Sequence, residues 1–303
     1  MNYDFLEPHL NVAWLRPESA LWDVIASQQI SQYQIIAPSL DLGCGNGIFS
    51  FITAGGKFTS DYDWYRNINT SDFWDNSDVY DVCVTNELDE FIAEKPKYSF
   101  TYALDHKPNL IAQAKALHFY ENTVVHDANA VLPFPDGFFQ TVFSNILYWL
   151  QDVRSSLKEI HRVLKPGGKA ILCMPTDNFY KNCISYSWQQ NGDELLKLVN
   201  RGRSDCMHAC FSFEEFRKIA QDQGYCIDDH RYYLSPLVLK VWDIGLRPMT
   251  PIMISLISKL SQEDRRTFKT EWIKTAGKFL RPILGKEPQN SKESGFQLFV
   301  LKK

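Results

Sequence analysis

Apolar positions along the chain follow two rhythms. Short apolar or strand-like stretches predict strands at 35–42, 98–105, 123–126, 138–147, 169–174 and 225–233, and alternating Phe296, Leu298 and Val300 predict a last one at 295–302. Between them, apolar residues at three- and four-residue spacing predict helices at 46–54, 108–119, 153–164 and 213–223. The punctuation agrees with this division. Gly43 closes the first run, Pro166-Gly167-Gly168 stops the helix at 153–164, Pro175 ends a strand and Gly224 follows a helix. Strands joined by helices of about ten residues imply a parallel sheet covered on both faces. The last two strands lack that crossover, which leaves room for an antiparallel member.

Three stretches break the rhythm: 1–34, 58–97 and 234–290. They are expected to be elaborations on the sheet, and such segments often carry specificity. Their charges are opposed. Residues 58–97 hold ten acidic and three basic side chains, and 235–286 hold ten basic and four acidic ones. Two solvated faces of opposite sign account for this, and so does a basic segment that meets an anion or a membrane surface. Within 235–286, apolar residues at helical spacing predict one or two amphipathic helices with a basic face. A lid, a dimer contact or a cover for an amphiphilic acceptor are the roles open to them.

Composition narrows the class. The chain has 303 residues, 45% of them hydrophobic, 14% aromatic and 22% charged, which excludes disorder over most of its length. A net charge of −4 argues against a dedicated nucleic-acid binder. No apolar run is long enough to predict a membrane span. The first ten residues lack a basic-then-apolar signal pattern. With seven scattered cysteines, free thiols in a reducing cytoplasm are expected.

The most informative stretch is Leu40-Asp41-Leu42-Gly43-Cys44-Gly45-Asn46-Gly47. A strand feeds a glycine-rich turn that opens a helix, so the backbone can approach a ligand closely. Taken alone, this is also what a tight turn looks like. The third glycine comes one residue too early for the dinucleotide pattern, which argues against a nicotinamide-dependent oxidoreductase. Two strand-end acids complete the group. Asp105 is placed to accept both hydroxyls of a ribose, and Asp127 to take the amino group of an adenine.

These pieces, with His126-Asp127-Ala128, Leu132-Pro133-Phe134-Pro135-Asp136 and Leu164-Lys165-Pro166-Gly167-Gly168, resemble the class I S-adenosylmethionine-dependent methyltransferases, in their small-molecule subgroup. The resemblance covers roughly 38–175 and the two closing strands. It implies a Rossmann-like three-layer sandwich, with a mostly parallel seven-stranded sheet whose last strand is antiparallel. The methyltransferase domain would span 35–303, with insertions at about 58–97 and 234–290, and residues 1–34 would form an N-terminal helical lid over the cofactor. S-adenosyl-L-methionine is the implied cofactor. Gly43, Cys44, Gly45, Asn46 and Gly47 would pass under its methionine part, and Asp41 would brace that loop. Asp105 would hold the ribose, with His106 beside the adenosine. Asp127 and Ala128 would meet the adenine, and Asn145 would lie near the methionine moiety. One departure stands out: Asp105 follows Gly47 by 58 positions where the family has about twenty, an insertion of roughly forty residues.

The implied reaction is in-line transfer of a methyl group to a small, hydrophobic metabolite. A lipid or quinone acceptor at a membrane surface is an alternative, as is a non-catalytic binder of the cofactor. No general base announces itself. Tyr148 and Trp149, just past the fourth strand of the motif series, are the candidates to face an acceptor. His161 and His126 read as structural. Cys206, His208 and Cys210 lack a fourth partner for zinc, so no metal is expected. The expected partners are a small-molecule acceptor and, through 235–286, a membrane surface or an anionic substrate. A homo-oligomer fits as well, and nucleic acid does not.

Overall fold

The computed structural model describes residues 4–68, 88–187, 209–246 and 249–303. Two helices, α1 (Leu6–Val12) and α2 (Pro17–Ile30), precede strand β1 (Ser39–Leu42). Next come α3 (Ile48–Thr53), β2 (Lys57–Phe58), β3 (Ile92–Glu94), β4 (Phe100–Asp105), α4 (Pro108–Ala116) and β5 (Tyr120–Val125). The chain continues through β6 (Phe139–Ser144), α5 (Val153–Val163), β7 (Leu164–Pro175), α6 (Phe213–Asp222) and β8 (Cys226–Tyr233). Helices α7 (Pro236–Ile244), α8 (Thr250–Ile257) and α9 (Gln262–Leu284) form a cap before the closing strand β9 (Phe296–Lys302).

Seven strands pair in the order β5-β4-β1-β6-β7-β9-β8. All run parallel except β9, which is antiparallel to both of its neighbours. The sheet is the Rossmann-like one that the strand–helix alternation predicts. All four residues of β1 are buried, as are 170–175 of β7 and all but the last residue of β9. A strand covered on both faces buries consecutive residues, and here the polar Ser39, Asp41 and Gln297 are enclosed with the apolar ones. Helix α5 is amphipathic, burying Val153, Leu157, Ile160 and Val163 on one side. Asp152 caps its start by accepting from the Arg154 amide. Ser212 and Glu215 form a capping box on α6.

Three details depart from the sequence expectation. The Pro-Gly-Gly stretch is not a loop. Leu164 already pairs with Phe139, and the register shifts before Thr141 meets Lys169, so the glycines, with Gly167 at φ +77°, form an irregularity inside β7. The strand expected at 123–126 begins earlier, at Tyr120, and its second acid lies two residues beyond its end. Helix α2 is a full member of the helix layer. Leu21, Val24 and Ile25 are completely buried, Trp22 packs edge-on to Phe296 of β9, and Ser27 bonds to Thr53 of α3.

The 58–97 insertion is clamped at its root. Strands β2 and β3 pair antiparallel, Thr59 N donates to Phe91 O, and Lys97 N donates to Ala54 O. Its two ends therefore meet, and β1 and β4 remain neighbours despite the forty extra residues. Its acidic root also does not face solvent alone. Asp63 pairs with Arg265 of α9 at 2.5 Å, and Asp61 pairs with Arg266 at 2.7 Å. Lys269 is buried and donates to Asn11 Oδ1, Ser60 O and Tyr62 O. Two oppositely charged insertions thus neutralise one another in part. The expectation of two separate solvated faces is corrected, and Arg265 is not available to an anionic acceptor.

Candidate active site

Strand β1 lies between β4 and β6, and the chain order reverses there. In open α/β sheets the crevice beyond the carboxyl ends at such a switch point is where ligands bind. Adjacent strands are about 4.8 Å apart, so whatever follows β1, β4 and β6 is brought side by side. Residues 43–47 follow β1, Asp105 ends β4 and Asn145 follows β6. The sequence-expected site residues at these three ends therefore converge.

The loop is shaped by different demands at its three glycines. Gly43, Gly45 and Gly47 all have positive φ, at +78°, +57° and +78°. At Gly43 a Cβ would sit 2.0 Å from Ile146 Cγ1, and at Gly47 it would sit 2.7 Å from a Tyr120 ring carbon. Those two positions are closed by the protein itself. At Gly45 nothing among the described residues lies within 4 Å of that point, so this glycine borders open space. The loop is tied to β4 by the Gly43 and Cys44 amides, which both donate to Leu104 O. Asn46 Oδ1 accepts from the Ile48 amide and opens α3. The Cys44 thiol is buried and pushed well above its usual pKa by desolvation, which leaves it an inert packing group.

The acids take distinct positions. Asp105 is largely buried. Its Oδ2 accepts from the Gly45 amide at 3.0 Å and its Oδ1 from the Lys107 amide at 3.0 Å. His106 Nδ1 stands 3.4 Å from the same carboxylate, with its ring mostly in solvent. Asp41 points into the protein. It accepts from Tyr120 Oη at 2.8 Å, and Ser50 also bonds to it. Burial pushes the Asp41 carboxyl up to about 6 against the opposing pull of those two hydroxyls. Asp127 is exposed and held below the usual carboxylate range, chiefly by the Asn129 amide and then by its side chain. Ala128 beside it is buried.

Beyond β6, Ser144 Oγ donates to Leu42 O and fixes the strand end. Asn145 follows, and its Oδ1 is buried with no hydrogen-bond partner among the described residues. Such an orphan acceptor costs about 1–3 kcal/mol unless a ligand or water satisfies it. Tyr148 is buried, with its ring edge-on to Phe296 at 5.4 Å, whereas Trp149 is half exposed. Of the two acceptor-facing candidates, only Trp149 presents much surface outward. His161 stands edge-on to Tyr225 as a packing residue, and His126 bonds to Val131 O. Cys206 and His208 lie outside the described residues.

Sequence reasoning missed several groups. Tyr120, which fences Gly47 and holds Asp41, opens a strand and looks like any core aromatic. Ile146 fills the space that Gly43 vacates. Arg162 reaches from α5 to Phe134 O, Leu132 O and Asp136, so the Leu132–Asp136 motif is a fastening for that helix.

The cradle passes a test of fit for an adenosyl sulfonium amino acid. It offers open space at Gly45, a strand-end carboxylate, an exposed second carboxylate and an unsatisfied carbonyl. Its acidic surroundings suit a ligand that carries a sulfonium and an ammonium.

Residues 81–172 match the family model described as "Methyltransferase domain", a segment that begins after the glycine loop. Over 91 residues the chain is 32% identical to a malonyl-[acyl-carrier protein] O-methyltransferase from Erwinia pyrifoliae, covering 30% of this chain and 34% of the relative. Over 80 residues it is 38% identical to a demethylmenaquinone methyltransferase from Anoxybacillus flavithermus, covering 25% and 33%. These matches span about a third of the length of the curated relatives. Among solved structures, an S-adenosylmethionine-dependent methyltransferase from Thermotoga maritima aligns with a TM-score of 0.48 at 13% identity, covering 96% of this chain and 93% of that one.

Proposed function

We propose that this chain, whose residues 81–172 match the methyltransferase-domain model, transfers a methyl group from S-adenosylmethionine to a small, hydrophobic metabolite. The observation that carries the reading is the convergence of Gly45, Asp105 and the unsatisfied Asn145 Oδ1 at three adjacent strand ends. When bound, S-adenosylmethionine supplies a methyl group activated on a sulfonium.

The protein's own contribution is binding and alignment. Gly45 lets the ligand lie against the loop backbone. Asp105 is fixed by two amides and orients the ribose hydroxyls. Asn145 Oδ1 accepts from the ammonium end, and Asp127 with Ala128 takes the adenine edge. Holding nucleophile, methyl and sulfur in line can supply about 7–11 kcal/mol of the barrier reduction. Trp22, Phe179 and Phe296 pack with Trp242 of the cap helix α7, with centroids 4.7–6.2 Å from Trp22, and so fasten the cap to the sheet. Relatives named for malonyl-[acyl-carrier protein] and demethylmenaquinone support a small acceptor. The exposed apolar surface of the cap favours, as a second reading, a lipid or quinone acceptor.

Calorimetry with S-adenosylhomocysteine tests the cofactor site. The wild type should saturate at one site, and Asp105→Ala should weaken binding at least tenfold. No heat from ligand-stripped wild type would reject the reading. Label transferred from methyl-tritiated S-adenosylmethionine into a host extract tests turnover. Binding without any labelled product would favour a non-catalytic binder instead.

A further inference from the structure

The cap carries an apolar surface that the fold does not use. Met249, Ile252, Leu256 and Leu260 follow one side of α8 and its flanks at spacings of three or four residues, and all are exposed, Leu256 by 62%. Ile254 and Ile257 of the same helix face inward, so its apolar character runs all the way round. On α9, Phe268, Thr275, Phe279 and Pro282 share a second exposed line, with Phe279 exposed by 73%. Phe279 stands at the rim of an apolar groove of about 230 Å³, which is floored by Leu246, Trp272, Ala276 and Leu280 and closed by Pro17. Leu246 bonds through its carbonyl to the Met249 amide, so one wall of the groove is tied to the start of α8.

Cations accompany this surface. Residues 273–286 contain Lys274, Lys278, Arg281 and Lys286 and no carboxylate. Lys278, Arg281, Lys286 and Lys259 are exposed, with no carboxylate within ion-pair distance among the described residues. On α9 the lysines at 274 and 278 run beside the Phe279 line, one quarter-turn or more away. Exposed apolar side chains edged by unpaired cations are what an anionic lipid–water interface recognises. Rings and aliphatic groups enter the acyl boundary while ammonium groups meet headgroup phosphates. A water-facing protein surface rarely keeps such a patch without a partner. No described helix is long and apolar enough to cross a membrane.

We propose that α8 and the second half of α9 form a docking surface for an anionic lipid bilayer, with Leu256 and Phe279 as the inserting side chains and Lys259, Lys278 and Lys286 as headgroup contacts. The groove beside Phe279 then opens at the bilayer face and can receive a single acyl or prenyl chain. This deepens the second reading of the acceptor given above, but the surface itself stands without it.

Vesicle flotation with the full chain is the test. Wild-type protein should float with vesicles of phosphatidylglycerol and phosphatidylcholine, much less with phosphatidylcholine alone, and be released by raised salt. Leu256→Asp with Phe279→Asp, and separately Lys259→Glu with Lys278→Glu, should each weaken partitioning at least tenfold. S-adenosylhomocysteine binding, measured on the same preparations, should be unchanged, which separates this result from any failure of the methyl-transfer reading. Wild type that stays in the aqueous layer overturns the proposal, as do variants that float like wild type. So does a wild-type dimer in vesicle-free sedimentation that Leu256→Asp makes monomeric, because the stripe would then be a contact between two copies.

Discussion

Arg265 on α9 ion-pairs with Asp63, 202 residues earlier in the chain, at the root of the acidic insertion. The same Asp63 carboxylate accepts from Trp14 Nε1 at 2.9 Å, and the Arg265 guanidinium stands 6.0 Å from the Trp14 ring centroid. Trp272 Nε1 donates to Trp14 O. The N-terminal segment, the first insertion and the cap are thus joined at one largely buried carboxylate. Breaking a buried pair leaves an uncompensated charge, so Asp63→Ala or Arg265→Ala should each cost about 3 kcal/mol. The double variant should lose clearly less than the sum of the two. Urea unfolding of all four proteins checks this, and strict additivity would show that the pair is not coupled.

Gly43 and Gly45 should respond differently to alanine. At Gly43 the new methyl overlaps Ile146 and the backbone is left-handed, so about 3 kcal/mol of stability should go. Ile146→Ala should restore part of it. Gly45→Ala has only the backbone strain of about 1 kcal/mol to bear, yet it places a methyl where the cofactor would lie. Folded protein with weakened S-adenosylhomocysteine binding is the expected result. Unaltered affinity in Gly45→Ala would mean that the open side of the loop is not the ligand side.

Asn145 gives a test in which stability and binding move in opposite directions. Replacing it with leucine removes an unsatisfied buried acceptor, so the ligand-free protein should keep its stability or gain up to about 1 kcal/mol. Cofactor affinity should fall about tenfold, the loss of one hydrogen bond to a charged group. Thermal melts with and without S-adenosylhomocysteine measure both effects. A destabilised apo protein would mean that Asn145 has a structural partner.

Asp41 sets a pH dependence. Its carboxyl is raised to about 6 in the folded protein, against an ordinary value of 3.8. The folded state therefore holds the proton more tightly than the unfolded chain. The stability this confers is complete below about pH 3.8 and is lost as pH rises through about 6. The span is at most about 3 kcal/mol. Asp41→Asn lacks this slope, so wild type should lose ground against it between pH 4 and pH 7 and run parallel above. Urea midpoints across that range decide the matter. Parallel curves throughout would show that Asp41 titrates normally.

Removal of residues 1–34 tests how α2 is used. The deletion strips Leu21, Val24 and Ile25 from the helix layer and uncovers Phe296, so cooperative unfolding should disappear. A truncated chain that still unfolds in one sharp transition, having lost only cofactor affinity, would return the segment to the role of a detachable lid.

The alternation of the sheet strands with helices, the glycine turn and Asp105 at the end of its strand were legible in the amino-acid sequence. Each depends on a short-range rule. Period and run length separate helix from buried strand, glycine permits positive φ, and a strand followed by a helix places its last residue at the sheet edge. The pairing of Asp63 with Arg265, the contact of Gly43 with Ile146 and the turning of Asp41 toward Tyr120 were decided only by the tertiary structure. These partners are remote in the chain, and no local pattern encodes which distant side chain will fill a space or neutralise a charge. That choice is made when the packed elements leave a single arrangement in which volume is filled and buried polar groups are bonded.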